Sequence, residues 1–214
     1  TAGLGNSYIT ESKEKNYTDL KKITFMFFWL TGMCASCFLG IFQPFMRLWV
    51  GEKFLMGFSV VVCLCVYFYL YETTRLLNVF KNAGGIWHED RFRPLISAIV
   101  NLALNLISVN YIGIYGIVLS TIVALAVIEI PWLLQNIFTV MYDTSLFKDY
   151  FKMFVSWIIA TVFSCVIIAV LTYKVTFSGW GAFAFFVVVS VLIPNIVFLL
   201  LMHRKEEFKL SISM

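Results

Sequence analysis

The chain has 214 residues, of which 61% are hydrophobic and 13% charged, and 16 Lys and Arg stand against 12 Asp and Glu for a net charge of +4. Soluble domains carry about 25% charged residues, so this balance and a mean hydropathy of +0.88 exclude an ordinary soluble globule. Length is better counted in membrane spans, each needing about 20 apolar residues.

Cutting the sequence at charged side chains leaves uncharged runs at 23–46, 54–71, 94–142 (interrupted only by Glu129), 153–173 and 175–203. The 94–142 run is too long for one span, and Asn110-Tyr111-Ile112-Gly113 is a turn signal that divides it. A soluble globule could not bury all of these runs. The expectation is an all-α, polytopic transmembrane helical bundle with six spans at about 23–46, 54–80, 93–109, 114–140, 150–173 and 179–202. Residues 1–22 and 203–214 are then cytoplasmic flanks. With both ends on one side, that side receives thirteen of the sixteen basic residues, and only Arg47, Lys53 and Lys174 fall on the other. A bias this large over short loops orients both ends to the cytoplasm. The positive charge therefore reports topology and lysines near anionic headgroups, not nucleic-acid binding.

Taken in chain order, the sequence opens Thr1-Ala2-Gly3-Leu4-Gly5 with no methionine and no basic or cleavable leader. It reads as entering mid-protein, with an N-terminal portion expected upstream. The polar stretch "NSYITESKEKNYTDLKK" leads into the first span as a short loop and an interfacial helix. That span closes on "FQPFMRLWVGEKF", where Pro44 can kink or end a helix, Trp49 suits the interface and Gly51 allows a turn. The second span continues past its uncharged core to Gly84-Gly85, and its tail pairs Glu72 with Arg75 at i,i+3. That tail is either an ordinary helix leaving the bilayer or a substrate contact.

The stretch "GIWHEDRFRPLISAIVNLALNLI" sets a compact charge cluster against a polar-striped helix. Arg91 and Arg93 flank the membrane as anchors, and Pro94 suits a first helical turn. Ser97, Asn101, Asn105 and Ser108 follow at i, i+4, i+8 and i+11 and share one face. Such a face must meet neighbouring helices or water. It is either interhelical glue, about 0.6 kcal/mol per hydrogen bond, or one wall of a polar cavity. In the fourth span, Gly113, Gly116 and Ser120 allow close helix approach. The same span holds Glu129, the only carboxylate deep within any span, with Pro131 just after it. An intramembrane ionisable residue costs about 2.5–3.5 kcal/mol on insertion scales and is a functional candidate by default. Its alternative is a neutral, hydrogen-bonded carboxyl in the outer third of the bilayer. Gln135 and Asn136 fall toward the interface, the fifth span is nearly featureless, and Pro194-Asn195 marks a kink in the sixth.

Five cysteines, at 34, 37, 63, 65 and 165, all fall within spans and read as buried hydrophobes. Neither His88 nor His203 has a partner at ligand spacing, so no metal site, cofactor or catalytic cluster is expected.

Three stretches, in this order, resemble a known family: "GLGN" followed by a polar loop and the span ending "PFMRLWVGEKF", then "GIWHEDRFRPLISAIVNLALNL", then "NYIGIYGIVLSTIVA". They are similar to the Wzx-type lipid-linked oligosaccharide flippases of the multidrug/oligosaccharidyl-lipid/polysaccharide exporter superfamily. Ser120 departs from the pattern, standing where glycine is expected before Thr121. The resemblance implies the C-terminal part of a two-lobed exporter in the bacterial cytoplasmic membrane, completed by a missing N-terminal lobe. It implies a substrate too, a polyprenyl-pyrophosphate-linked repeat unit for capsule or O-antigen export, with glycan polymerase or glycosyltransferases as further partners. The cavity would be lined by Ser97, Asn101, Asn105 and Glu129, and the cytoplasmic entrance by Arg75, Arg91 and Arg93. The competing expectations are an ion-coupled exporter of small amphiphiles, with Glu129 as coupling residue, and a non-transporting scaffold of a glycan-assembly complex.

Overall fold

A computed structural model describes residues 2–174, 179–205 and 208–209. Among them there is no strand. After a short α1 (Ala2–Thr10) come six helices long and apolar enough to cross a membrane: α2 (Lys13–Trp49), α3 (Phe58–Ala83), α4 (Arg93–Ile112), α5 (Ile114–Met141), α6 (Thr144–Lys174) and α7 (Trp180–Met202). The chain is an all-α polytopic bundle, and its six apolar helices mark it as a multi-pass membrane protein.

The helices overrun the apolar cores that mark them in the sequence. α2 begins at Lys13 and passes through Pro44 to Trp49, and α6 begins at Thr144. Hydropathy delimits what lipid can cover, whereas backbone hydrogen bonding carries a helix on into water for as long as no residue breaks it. Two of the breaks fall at glycine. Gly85 (φ 66°) follows α3, and Gly113 (φ 56°) turns α4 into α5; both need the left-handed region that glycine enters without a Cβ clash.

The chain divides into two compact units. The first holds residues up to Thr24 together with Leu70–Met153. Its defining piece is the α4–α5 hairpin, a seam of small and polar side chains. A Cβ on Gly116 would come within 2.7 Å of the Ser108 carbonyl carbon, so the two backbones touch there. The Ser108 hydroxyl lies 3.0 Å from that of Ser120 and 3.1 Å from the Gly116 carbonyl oxygen. Only 6% of the most apolar window of α4 is buried, against 33–44% in the other five spanning helices. The outer face of α4, with Leu95, Ile99, Leu102 and Leu106, is accordingly exposed for lipid to cover.

α5 is not uniformly α-helical. It widens to π turns at Leu125–Glu129 and Ile137–Met141, each adding a residue to the turn. Beyond the second π turn, Tyr142 anchors α1 and the start of α2. Its hydroxyl bonds that of Tyr8 and donates to the Asn16 carbonyl at 3.3 Å. Tyr17 donates to Asp149 Oδ2 at 3.2 Å, and Ser7 donates to Asn16 Oδ1 at 2.9 Å. Burial pushes the Tyr8 hydroxyl up to about 12 and raises that of Tyr142 as well, so both stay protonated and uncharged at neutral pH.

The second unit holds Phe25–Tyr69 and the chain from Phe154 onward. Its core is aromatic: Phe28 lies 5.1 Å from Phe154, 5.6 Å from Trp157 and 5.6 Å from Tyr69, and Trp29 stacks parallel to Phe198 at 6.2 Å. Pro194 sits inside α7 and has no N–H to donate to the Ser190 carbonyl. The Cys37 thiol takes that role at 3.6 Å. Asn195 donates to the Val191 carbonyl at 2.7 Å and accepts from Trp29 Nε1 at 3.0 Å. This is how a proline is tolerated in a membrane helix, through side chains that re-satisfy the freed backbone.

Candidate functional site

Four charged side chains converge in the first unit, and they come from four stretches of chain. Lys81 lies on the last turn of α3, Asp90 in the loop, Arg93 at the first residue of α4 and Glu129 at the end of the first π turn of α5. The loop closes on itself: Ile86 N–H donates to the Lys81 carbonyl at 3.1 Å, and Arg93 N–H to the Asp90 carbonyl at 3.2 Å. Ile86 is buried beneath it, and Gly84 leaves room for Met141, which a Cβ would meet at 2.4 Å.

Arg93 is the hub. Its Nε donates to Asp90 Oδ1 at 2.6 Å and its Nη2 to Asp90 Oδ2 at 2.8 Å, a two-bond fork onto the carboxylate. Nη2 donates also to Asn78 Oδ1 at 3.0 Å, while Nη1 pairs with Glu129 Oε2. Lys81 Nζ lies 3.2 Å from Asp90 Oδ2 and 4.3 Å from the centroid of the Trp87 ring. Asn136 Nδ2 completes the set, 3.5 Å from Asp90 Oδ1. Glu129 and Asn136 are seven residues apart on α5 and so face the same way.

The quartet is withdrawn from solvent: side-chain exposure is 3% for Asp90, 5% for Arg93, 8% for Lys81 and 12% for Glu129. Burial pushes the Asp90 carboxyl up, but the bonds and charge of Arg93 and then Lys81 outweigh it and hold the group below the usual carboxylate range. Two cations and two carboxylates balance, so the cluster is neutral as a whole. Removing one member strands its partner, at a cost of about 3–5 kcal/mol.

The residues singled out by sequence are distributed unequally around this cluster. Arg93 and Glu129, assigned separately to the entrance and the cavity, are each other's partners. Arg91, grouped with Arg93 by position, is exposed, lies 3.0 Å from His88 Nε2 and stacks over Phe92. Arg75 is exposed and pairs with Glu72 at 2.9 Å, as the i,i+3 spacing indicates. The polar stripe runs along the α4–α5 seam: Asn105 Nδ2 donates to Asn101 Oδ1 at 3.1 Å, Asn101 Nδ2 donates to Thr121 Oγ1 at 3.5 Å, and Ser97 is buried. Among the described residues, Asn105 Oδ1 is buried without a hydrogen-bond donor. Asn136, expected toward the interface, is buried beside the loop residue Asp90.

Sequence reasoning missed Lys81, Asp90, Asn78 and Asn136 as participants. One signal was present: a carboxylate inside a span demands a cation, and Arg93 is the first residue of the neighbouring span. No pattern pointed to Asp90 as the bridge. No family model matches the chain, and neither a curated protein nor a solved structure is significantly similar to it.

Proposed function

We propose that this chain is part of an exporter that turns polyprenyl-pyrophosphate-linked oligosaccharide repeat units across the bacterial cytoplasmic membrane by alternating access. The order of the three resembling stretches supports the reading. The structural observation that carries it is the ion quartet Lys81–Asp90–Arg93–Glu129, four charged side chains buried together in the first unit. Charges are costly inside membrane proteins and concentrate where polar cargo or ions pass. A π turn ending at Glu129 adds an irregular element of the kind that recurs at functional sites. In this reading both ends face the cytoplasm, Arg91 and Arg75 stand at the entrance, and a preceding lobe completes the cavity.

The test is export of repeat units in cells that depend on this protein, carrying Glu129→Gln or Asn101→Ala at normal abundance. Loss of export with either variant is the expected outcome. Full export with both would remove the assignment.

One observation favours the scaffold reading: the polar stripe of α4 is hydrogen-bonded to α5 and within itself. Replacing Asn101 and Asn105 together by leucine separates the two, since a scaffold that still assembles continues to support export.

A further inference from the structure

We propose that Glu129 is an internal mask over an oxyanion site: its carboxylate occupies the Arg93 N–H donor that a phosphate-bearing headgroup takes once the carboxylate swings away. The inference rests on the reading of the chain as a carrier of a pyrophosphate-linked lipid, and it assigns the substrate's charged group to one guanidinium.

The two acids of the quartet are held very differently. Asp90 receives two bonds from Arg93, an ion pair from Lys81 and an amide from Asn136. Among the described residues, Glu129 is held through one oxygen by one nitrogen of Arg93. It is also the most exposed of the four side chains, at 12%. Asp90 is therefore the fixed member that aims the arginine, and Glu129 the exchangeable one. Arg93 Nε and Nη2 stay committed to Asp90 and Asn78, which leaves Nη1 presented at a set angle.

The backbone supplies a way for Glu129 to leave. It closes the π turn Leu125–Glu129, and conversion of a π turn to α-helix shifts the register by one residue. That rotates the side chain by about 100° around the helix axis. When it rotates, the cluster keeps Lys81, Arg93 and Asp90, a net charge of one positive in a low-dielectric setting. An incoming phosphate oxygen restores the balance. Asp90 opposes the phosphate by like charge, and Lys81, paired to Asp90, offsets that opposition. Arginine suits the role because its planar fork grips two oxyanions at once, which a lysine ammonium cannot reproduce in fixed geometry.

The experiment measures binding of inorganic pyrophosphate, and separately of a short-chain polyprenyl phosphate, to the full chain in phosphatidylcholine nanodiscs. Glu129→Gln is expected to bind at least one of the two about tenfold tighter than the parent chain, the gain of one charge-assisted hydrogen bond. Adding Arg93→Lys removes that gain, and adding Lys53→Gln, at an exposed residue of the second unit, leaves it. Tighter pyrophosphate binding identifies the phosphate group alone as sufficient, and a gain confined to the polyprenyl form identifies the lipid headgroup. No gain with either ligand, or a gain that survives Arg93→Lys, overturns the proposal. Should Glu129→Gln fail to fold, Glu129→Asp, whose shorter side chain falls short of Arg93, must show a gain in the same direction. Tighter binding of the Glu129→Gln chain, with export undiminished in both Glu129→Gln and Asn101→Ala cells, would sink the transport reading and keep the mask. Unchanged binding with export lost would sink the mask alone.

Discussion

The two units hold themselves together by opposite means. The first places four charges and two amides in one buried cluster, where each member depends on the others. The second has an aromatic core, and its polar groups repair the break that Pro194 makes in α7. Aromatic packing is a sum of many small contacts, so losing one leaves the rest standing. An ion cluster is cooperative, because every bond removed exposes a charge to a low dielectric. The contrast marks the first unit as the place where a ligand, a proton or a substitution has large consequences.

Substitutions sharpen this contrast. Arg93→Met should have the largest effect, lowering stability in detergent by about 3–5 kcal/mol through the stranding of Asp90 and Glu129. A triple variant that also carries Asp90→Asn and Glu129→Gln should recover most of that loss, and thermal unfolding of the purified variants reads it directly. If the single variant loses less than the triple, the cluster is not cooperative.

Gly116→Val comes next. The added carbons meet the Ser108 backbone, which cannot yield as a flexible side chain would. A loss of about 1–3 kcal/mol is expected for overpacking. Weaker crosslinking between cysteines placed on facing positions of α4 and α5 would report separation of the hairpin.

The third effect depends on pH. The Asp90 carboxyl lies below its ordinary value in the folded chain. Its contribution is therefore complete above the unfolded value of about 3.9, and is lost as pH falls through the lower folded one. Asp90→Asn should flatten the acid limb of the stability curve, while Phe28→Leu in the second unit lowers stability and leaves the shape of that limb unchanged. An identical acid limb in Asp90→Asn would break the comparison.

The smallest effect belongs to Trp29→Phe, which keeps a ring over Phe198 and removes the hydrogen bond to Asn195. The expected loss is about 0.6 kcal/mol, the average for a hydrogen bond between membrane helices. A loss several times larger would mean that the hydrogen bonds around Pro194, not the aromatic core, govern the second unit.

Much of the architecture was legible in the sequence because each local signal had one physical meaning. Gly113 divides the long uncharged run where the turn signal indicated, and α4 starts at Arg93, next to Pro94. Pro194 lies mid-helix as expected, whereas Pro44 neither ends α2 nor separates its last turn from the rest. The helix expected ahead of the first span runs on into α2, whereas the extended start of α6 was not legible, since a polar helix leaves no hydropathy trace. The pairing of Arg93 with Glu129 was hidden for a different reason. The two residues stand 36 positions apart, and only the hairpin through Gly113 returns α5 to the start of α4.

By itself the sequence determined that the chain is helical, that it carries six apolar segments and where its turns fall. Those properties follow from side-chain polarity and from glycine and proline stereochemistry, which act within a few residues. The tertiary structure alone decided that Arg91 faces solvent while Arg93, two residues on, is buried, that Asp90 bridges two cations, and that Asn101 of the α4 stripe meets Thr121 of α5. A buried charge takes whatever partner the packing brings within about 3 Å, and packing is a property of the whole chain.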